Sequence, residues 1–486
     1  MSATGSNELK RNALGLSSAL AMSLAFIAPT IGIIFISALV SGEAGVASPF
    51  VYMLGTVGIG LMAFTLAEFS RRVTTAGGFY KFITLSLGDR AGFVSGMMLF
   101  VAYGLVGPLN VNLFGGFVSG ALHENFGIDV PWWILMTGVV VVVGGLSWYS
   151  VHASMQFDIA FLIAEVGVAA VVLVIIIAQG GDSGQVPEAF SPLSASNGMG
   201  GLGTAFVFVV FAFLGFESCL TVAEETTNPK RNLPLALVGS VVIAGAFYTF
   251  SMYGHIVGFG AENIDEMSAS AEPLRDLGVR YIGPWYGLII DVAAFSAIVA
   301  VLLAAQTANF RILYALGRDG LLPKVLGRTH PKYKTPHISI ICFSLLTLSF
   351  GIVCGAVWGP VEAFGYLGYL ACMMILPIYI LTNIALPVFI KKRFPDDFSF
   401  MRHILLPGIS SIIFALGLYL NVNPWPTGPV ASFPIVVVVL VVAIIVWAFW
   451  LKKNKPEMFE RLGSVMLEES DPLPKLEDID PFVKAD

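Results

Sequence analysis

Apolar residues run through this chain in long unbroken stretches, separated by short segments in which charge, proline and glycine collect. Runs such as Val139 to Val143, Val171 to Ile177 and Ile435 to Val442 show no alternation of polar and apolar positions, so they read as helices and not as strands of a membrane barrel. At about 20 apolar residues per crossing, the pattern predicts twelve spans: Leu14 to Ser41, Pro49 to Ser70, Gly92 to Leu122, Trp132 to Tyr149, Phe157 to Ala178, Gly203 to Thr221, Leu235 to Phe259, Pro284 to Leu316, His337 to Val357, Val361 to Ile390, Leu406 to Val422 and Phe433 to Leu451.

Two of these spans are interrupted. The first contains Ala28, Pro29, Thr30, Ile31 and Gly32 between two apolar halves, and the sixth contains Gly215 followed by Phe216 and Glu217. Proline removes an intrahelical hydrogen bond and glycine adds conformational freedom. An ionised carboxylate is costly in hydrocarbon, so Glu217 is expected to face a partner, a water-filled cavity or a proton path. Interruptions five spans apart mark an inverted repeat of five plus five helices with substrate held at the breaks. Unwound backbone there offers N–H groups to an anion and carbonyls to a cation, and an amino acid carries both charges.

Composition agrees with a polytopic α-helical membrane protein: 56% of the 486 residues are hydrophobic and 12% are charged. The formal charge of −6 matters less than which loops hold the basic residues. Lys10, Arg11, Arg71, Arg72, Lys81, Arg90, Lys230, Arg231, the cluster from Arg311 to Lys334, Lys391 to Arg402 and Lys452 onward all fall on one side of a twelve-span topology. Only Arg275 and Arg280 fall on the other. Both termini are therefore expected in the cytoplasm and the protein in the plasma (inner) membrane. The first span is expected to be retained and not cleaved as a signal peptide. The expected organisation is a cytoplasmic segment over residues 1–13, a transport core over 14–390, two further helices with their preceding loop over 391–451, and an acidic cytoplasmic tail over 452–486. Cys219, Cys342, Cys354 and Cys372 show no metal-ligand spacing and read as small core residues.

Three loops carry a resemblance to a known family. The first reads Glu68, Phe69, Ser70, Arg71, Arg72, Val73, Thr74, Thr75, Ala76, Gly77, Gly78, Phe79, Tyr80; the second follows Gly215–Phe216–Glu217 with Ala223, Glu224, Glu225, Asn228, Pro229, Arg231 and Pro234. The third contains Arg311, Leu313, Tyr314, Ala315, Arg318, Asp319, Gly320, Leu322, Pro323 and then His330, Pro331, Lys332, Tyr333, Thr335, Pro336. In these loops the chain resembles the amino acid, polyamine and organocation permeases. The resemblance implies the same five-plus-five fold with discontinuous first and sixth helices and two extra C-terminal helices. It also implies a substrate path along the third span, with Tyr103 as a contact, and a gating or pH-sensing role for an acidic residue at Glu217.

Thr30, Ile31, Gly32, Tyr103, Phe211, Ala212, Gly215 and Glu217 are the expected substrate-binding residues, with Glu165 and Glu217 expected to couple transport to protons. Glu165 sits about 10 Å into the fifth span from Asp158, at 1.5 Å of rise per residue. Some proton-coupled relatives hold a lysine at the comparable position, standing in for a sodium ion. Glu165 departs from that pattern. It could carry the proton, help coordinate a cation such as sodium, or hydrogen-bond structurally. Asp158 reads as an interfacial charge, His255 as a packing histidine, Asp291 as a residue close to water, and Asn309 to Pro336 as an amphipathic surface connection.

No Gly-rich Lys-Ser/Thr phosphate loop, filter-like carbonyl motif or catalytic pair is present, which argues against an ATP-driven pump, a channel and an enzyme. No catalytic residue, metal, cofactor or nucleic-acid partner is expected. A neutral α-amino acid is the expected substrate, weighed against a polyamine importer, an amino acid exchanger and a transport-deficient sensor. The first break lacks the paired glycines that many amino acid carriers use, and Pro29, Pro108 and Asn110 are reminiscent of amine importers. A dication, however, calls for two buried acids, and Glu217 alone is evident. The eleventh and twelfth spans read as scaffold or as the contact of a homodimer.

Overall fold

The computed structural model describes residues 14–74, 78–149, 155–182, 184–223, 225–318, 322–333, 335–454 and 456–457, with the side chains of 155–159, 315, 316 and 318 left aside. The expected N-terminal segment, nearly all of the acidic tail and the side chain of Asp158 lie outside that description. The described chain is helical, with isolated bridges in place of any sheet. Among the described residues, eleven helices are long and apolar enough to cross a membrane, and a shorter apolar helix over Trp132–Trp148 makes the twelfth segment.

These are α1 (Leu16–Ala44), α2 (Ser48–Ser70), α3 (Asp89–Phe126), α4 (Trp132–Trp148), α5 (Met155–Gln179) and α6 (Gly198–Val222). They are followed by α7 (Pro229–Phe259), α8 (Pro284–Arg318), α9 (His337–Trp358), α10 (Pro360–Arg393), α11 (Met401–Val422) and α12 (Phe433–Asn454). The helices α1 and α6 are the most enclosed, as central elements with no lipid-facing side should be. Helix α3 bends at Leu105, whose N–H is shared between the carbonyls of Val101 and Ala102. Pro108, four residues after Gly104, cannot donate to it, and its ring forces the turn open.

The closest embrace joins α2 and α7, where small residues let the helices approach. A methyl on Gly245 would lie 2.2 Å from Thr56 Cγ2. Tyr52 of α2 and Tyr248 of α7 meet there, ring centroids 5.5 Å apart, both fully buried. Helix α11 packs tightly on α2 and α6: Ser410 Oγ donates to Gly58 O at 3.0 Å, and Gly417 admits the Phe206 ring. At the Arg71 end, buried Glu68 accepts from Arg71 (2.7 Å), Arg72 (2.8 Å) and His403 of α11 (3.3 Å). His403 Nδ1 itself accepts from the Ser399 N–H at 2.9 Å, so Nε2 carries the proton given to Glu68.

Two expectations change. Helix α8 does not give way to a surface connection at Asn309 but continues to Arg318, and Asn309 is buried within the bundle. Ala305 O, one turn back, and Tyr103 O of α3 accept from its amide at 2.9 and 3.2 Å, so a polar residue that looked like a boundary is a bridge. Asp291 is not wet: it is 5% exposed and accepts from Arg275 Nε at 2.9 Å and from Asn125 Nδ2 at 2.8 Å. Arg275 also pairs with Glu124, closing the short helix Pro273–Tyr281 onto the ends of α3 and α8.

Glu272 lies beside this cluster with its Oε2 buried and unpartnered among the described residues. Burial, and then the Asp291 carboxylate, push its carboxyl up to about 8 against the opposing pull of Arg275; Glu124 and Asp276 add to the rise. The folded value exceeds the ordinary 4.5, so ionising Glu272 opposes folding. Stability from this group is complete below pH 4.5 and is lost as pH rises through about 8. Glu272→Gln should flatten the fall in melting temperature across that window, measured by thermal unfolding in detergent at stepped pH; parallel curves for the two proteins would remove Glu272 as its source.

Candidate functional site

The first break falls at Ala28, whose φ of +47° is left-handed backbone that an L-residue with a Cβ adopts at a cost. The helix Leu16–Ile27 ends against it, a new helical turn starts at Pro29, and Gly32–Ile36 form a wide π turn before the helix resumes at Ser37. Proline suits a first helical position, where its missing N–H leaves nothing unpaired. In α6 the helix Gly198–Ala212 ends, Gly215 takes φ +92°, and Phe216–Val222 continue as a tight 3-10 helix. The first helix of each repeat thus contains a left-handed residue at its break.

Broken backbone at this depth needs new partners, and α2 and α7 each supply a tyrosine. Tyr52 OH donates to Gly32 O at 3.4 Å, and Tyr248 OH donates to Ala212 O at 2.7 Å. Gly32 carries no side chain because Tyr248 occupies the space, a Cβ there lying 2.5 Å from its ring. The remaining half-helices hold one another. Ser23 Oγ of α1 donates to Phe216 O at 2.7 Å, and Ser218 Oγ of α6 donates to Met22 O at 3.1 Å. Leu14 extends this clasp by bonding Glu225 O (3.1 Å) and the Thr227 N–H (2.8 Å).

Between the two breaks lies a small cavity of about 40 Å³, walled by residues of α1, α3, α6, α8 and α10. Of the expected substrate residues, Ile31, Gly32, Phe211 and Ala212 line it. Among the described residues, Asn110 of α3 is the only polar side chain on its wall; the other walls include Phe26, Ile36, Val301 and Phe364. Gly215 shapes the break without lining the cavity: a Cβ there would fall 2.0 Å from Phe26 Cδ1.

Thr30 turns from the cavity toward Glu165, donating to Oε2 at 3.3 Å. Ser296 of α8 reaches Oε1 at 2.5 Å and also stands 2.9 Å from Ala293 O. Glu165 is 7% exposed and, among the described residues, has no ion pair. It therefore ties the restarted half of α1 to α5 and α8 through hydroxyl groups alone. Tyr103 and Glu217 pair with one another outside the cavity lining, the tyrosine hydroxyl donating to Oε1. Glu217 Oε2 is buried without a partner among the described residues. His255 is a packing residue, its Nδ1–H donating to Ser251 O at 2.7 Å.

Sequence reasoning did not find the paired tyrosines, Ser296 or Phe364. Tyr52 and Tyr248 both stand in the second helix of their repeat, but 24 residues after Ala28 and 33 after Gly215, so aligning the two halves on their breaks does not bring them together. Ser296 and Phe364 leave no local signal, since nothing near either residue departs from an ordinary apolar helix.

Gly215→Ala combines a left-handed φ with a clash into Phe26 and should cost roughly 1–3 kcal/mol. Gly104→Ala, where a Cβ meets nothing within 4 Å, is the control. The expected outcome in detergent melting is a clear loss for the first and none for the second; equal melting temperatures would mean that α6 is not held in this broken form.

The profile of the amino acid permease family matches residues 18–460. Similar proteins include the branched-chain amino acid permease of Bacillus subtilis, 27% identical over 81% of this chain and 83% of that protein. The methylthioribose transporter of the same organism is 25% identical over 77% of this chain and 80% of its own. The low-affinity putrescine importer of Escherichia coli is 23% identical over 71% and 76%.

Proposed function

The chain belongs to the amino acid permease family, whose members are membrane transporters and not enzymes, and from that premise we propose that it carries a neutral α-amino acid with an apolar side chain. The observation that carries this reading is the cavity wall: apolar side chains and one amide, set between the loose ends of two broken helices. In this reading the carboxylate sits at the Thr30 N–H, where the dipole favours an anion; it is the donor left at the restart because Pro29 has none and Ile31 and Gly32 donate to Ala28 O. The ammonium takes the carbonyls that end the preceding helix, and the side chain faces Phe211, Phe364 and Ile36. The similarity to a branched-chain amino acid permease supports the choice.

An amine substrate has in its favour the unpartnered Oε2 of Glu217 and the similarity to a putrescine importer. These weigh less, because no ionisable side chain among the described residues lines the cavity and the other oxygen of Glu217 is engaged by Tyr103. In our reading Tyr103 and Glu217 close the path at the end of the bundle holding Arg71 and Arg72. The basic loops support placing that end, with both termini, at the cytoplasmic face of the plasma membrane. Transport proceeds by alternating access, the two repeats rocking around the cavity.

Thermal unfolding in detergent with a panel of amino acids and diamines tests the substrate. A ligand at 100 times its Kd adds about 2.7 kcal/mol to the folded state, so alanine, valine or leucine should raise the melting temperature while putrescine does not. A response to diamines alone would overturn the reading.

Glu165 is the proposed proton carrier, since it can gain and lose a proton while bonded to Thr30 on the discontinuous helix. Occupation of the same oxygens by sodium is the competing reading. Glu165→Gln should abolish the acceleration of uptake by an inward proton gradient in proteoliposomes while leaving exchange of labelled for unlabelled substrate. An undiminished gradient effect would exclude it, and a sodium requirement in the unmutated protein would favour the cation.

A further inference from the structure

We propose that Gly368 of α10, which does not itself line the cavity, sets the size of side chain the carrier accepts by fixing how far the Phe211 ring lies back from the substrate. This inference rests on the amino-acid reading above and adds a determinant of size to it.

Phe211 forms one wall of the cavity, and its ring lies directly over Gly368. A Cβ on residue 368 would stand 2.2 Å from Cε1, 2.4 Å from Cζ and 2.6 Å from Cδ1 of that ring. Carbon atoms rest about 3.5–4.0 Å apart, so the ring would have to move by more than about 1 Å. Phe364 packs against another flank, centroid to centroid at 5.2 Å. The open side is the cavity, so a methyl group behind the ring drives it inward.

The backbone at Gly368 is ordinary helix, without the positive φ that would call for glycine. Glycine in a helix interior costs roughly 0.5–1 kcal/mol relative to alanine, and here the contact with Phe211 is what requires it. The cavity is small enough for the shift to count. Its volume of about 40 Å³ is only a few times the roughly 10–15 Å³ that a cavity needs to hold one water molecule, so an inward shift removes much of the space. Gly365, one turn earlier, shows the contrast: a Cβ there meets Leu39 at 3.1 Å, away from the cavity wall, and carries no such consequence.

The test compares uptake of glycine, alanine, valine and leucine into proteoliposomes for the unmutated protein, Gly368→Ala, Phe211→Leu and the double variant. Gly368→Ala should lower the leucine-to-alanine uptake ratio by roughly tenfold, the lower end of what one methylene decides in an apolar pocket. Phe211→Leu should raise that ratio, and the double variant should return toward the unmutated value because the ring that the added methyl group would displace is gone. An equal loss for all four substrates, or an unchanged ratio, would overturn the proposal. If Gly368→Ala does not fold, Phe211→Leu alone decides: a ratio that fails to rise sinks it. If the unmutated protein takes up diamines and no amino acid, the amino-acid reading falls, and the same four proteins tested on diamines of increasing length still decide whether Gly368 sets size.

Discussion

A peptide carbonyl without a partner in hydrocarbon costs several kcal/mol, and the architecture of this protein follows from where it accepts that exposure. Two helices give up their continuous hydrogen bonding in the middle of the bundle. They can do so because each is wrapped by others, and because a tyrosine from the neighbouring helix of the same repeat reaches in to an opened carbonyl. Tyr248 cannot be exchanged for an apolar residue without leaving Ala212 O bare, while Tyr52 adds a second donor at Gly32 O, which opens the π turn. Contact between the two tyrosine rings makes the arrangement cooperative, since neither phenol can swing away without disturbing the other.

This solution explains the character of the cavity. The tyrosines and serines take up the polar demands of the breaks from outside, so its wall needs little polarity of its own. What remains for a solute is a mostly apolar surface with backbone charge density at its edges. The carboxylates lie one layer out: Glu165 against the restarted helix and Glu217 against α3. A change in either reaches the cavity through a helix and not through direct contact.

Much of the fold was legible from Leu14 to Leu451 because hydrophobic length alone separates the spans, and the breaks were legible because proline, glycine and a carboxylate are conspicuous in hydrocarbon. Ile31, Gly32, Phe211 and Ala212, singled out from the breaks in the sequence, line the cavity between them. Sequence and structure differ where identity and direction part company. Thr30 sits among cavity residues in sequence yet points to Glu165, because successive helical positions diverge by about 100°. Asn309 carries the polarity of a loop but spends it between two helices, and Asp291 has the depth of a wet residue but is sealed by an arginine 16 positions before it. Such pairings depend on which helices become neighbours, which no local pattern encodes.

The clasp between the start of α1 and the end of α6 divides the molecule differently from its sequence. Four hydrogen bonds, from Leu14, Thr227, Ser23 and Ser218, fasten a half-helix of one repeat to a half-helix of the other. Any displacement at that end must carry both strands of backbone as one strut, or else break the bonds together. The two repeats are therefore not independent: each has lent the other a limb, and each limb meets the rest of its helix at a left-handed residue, Ala28 in one and Gly215 in the other.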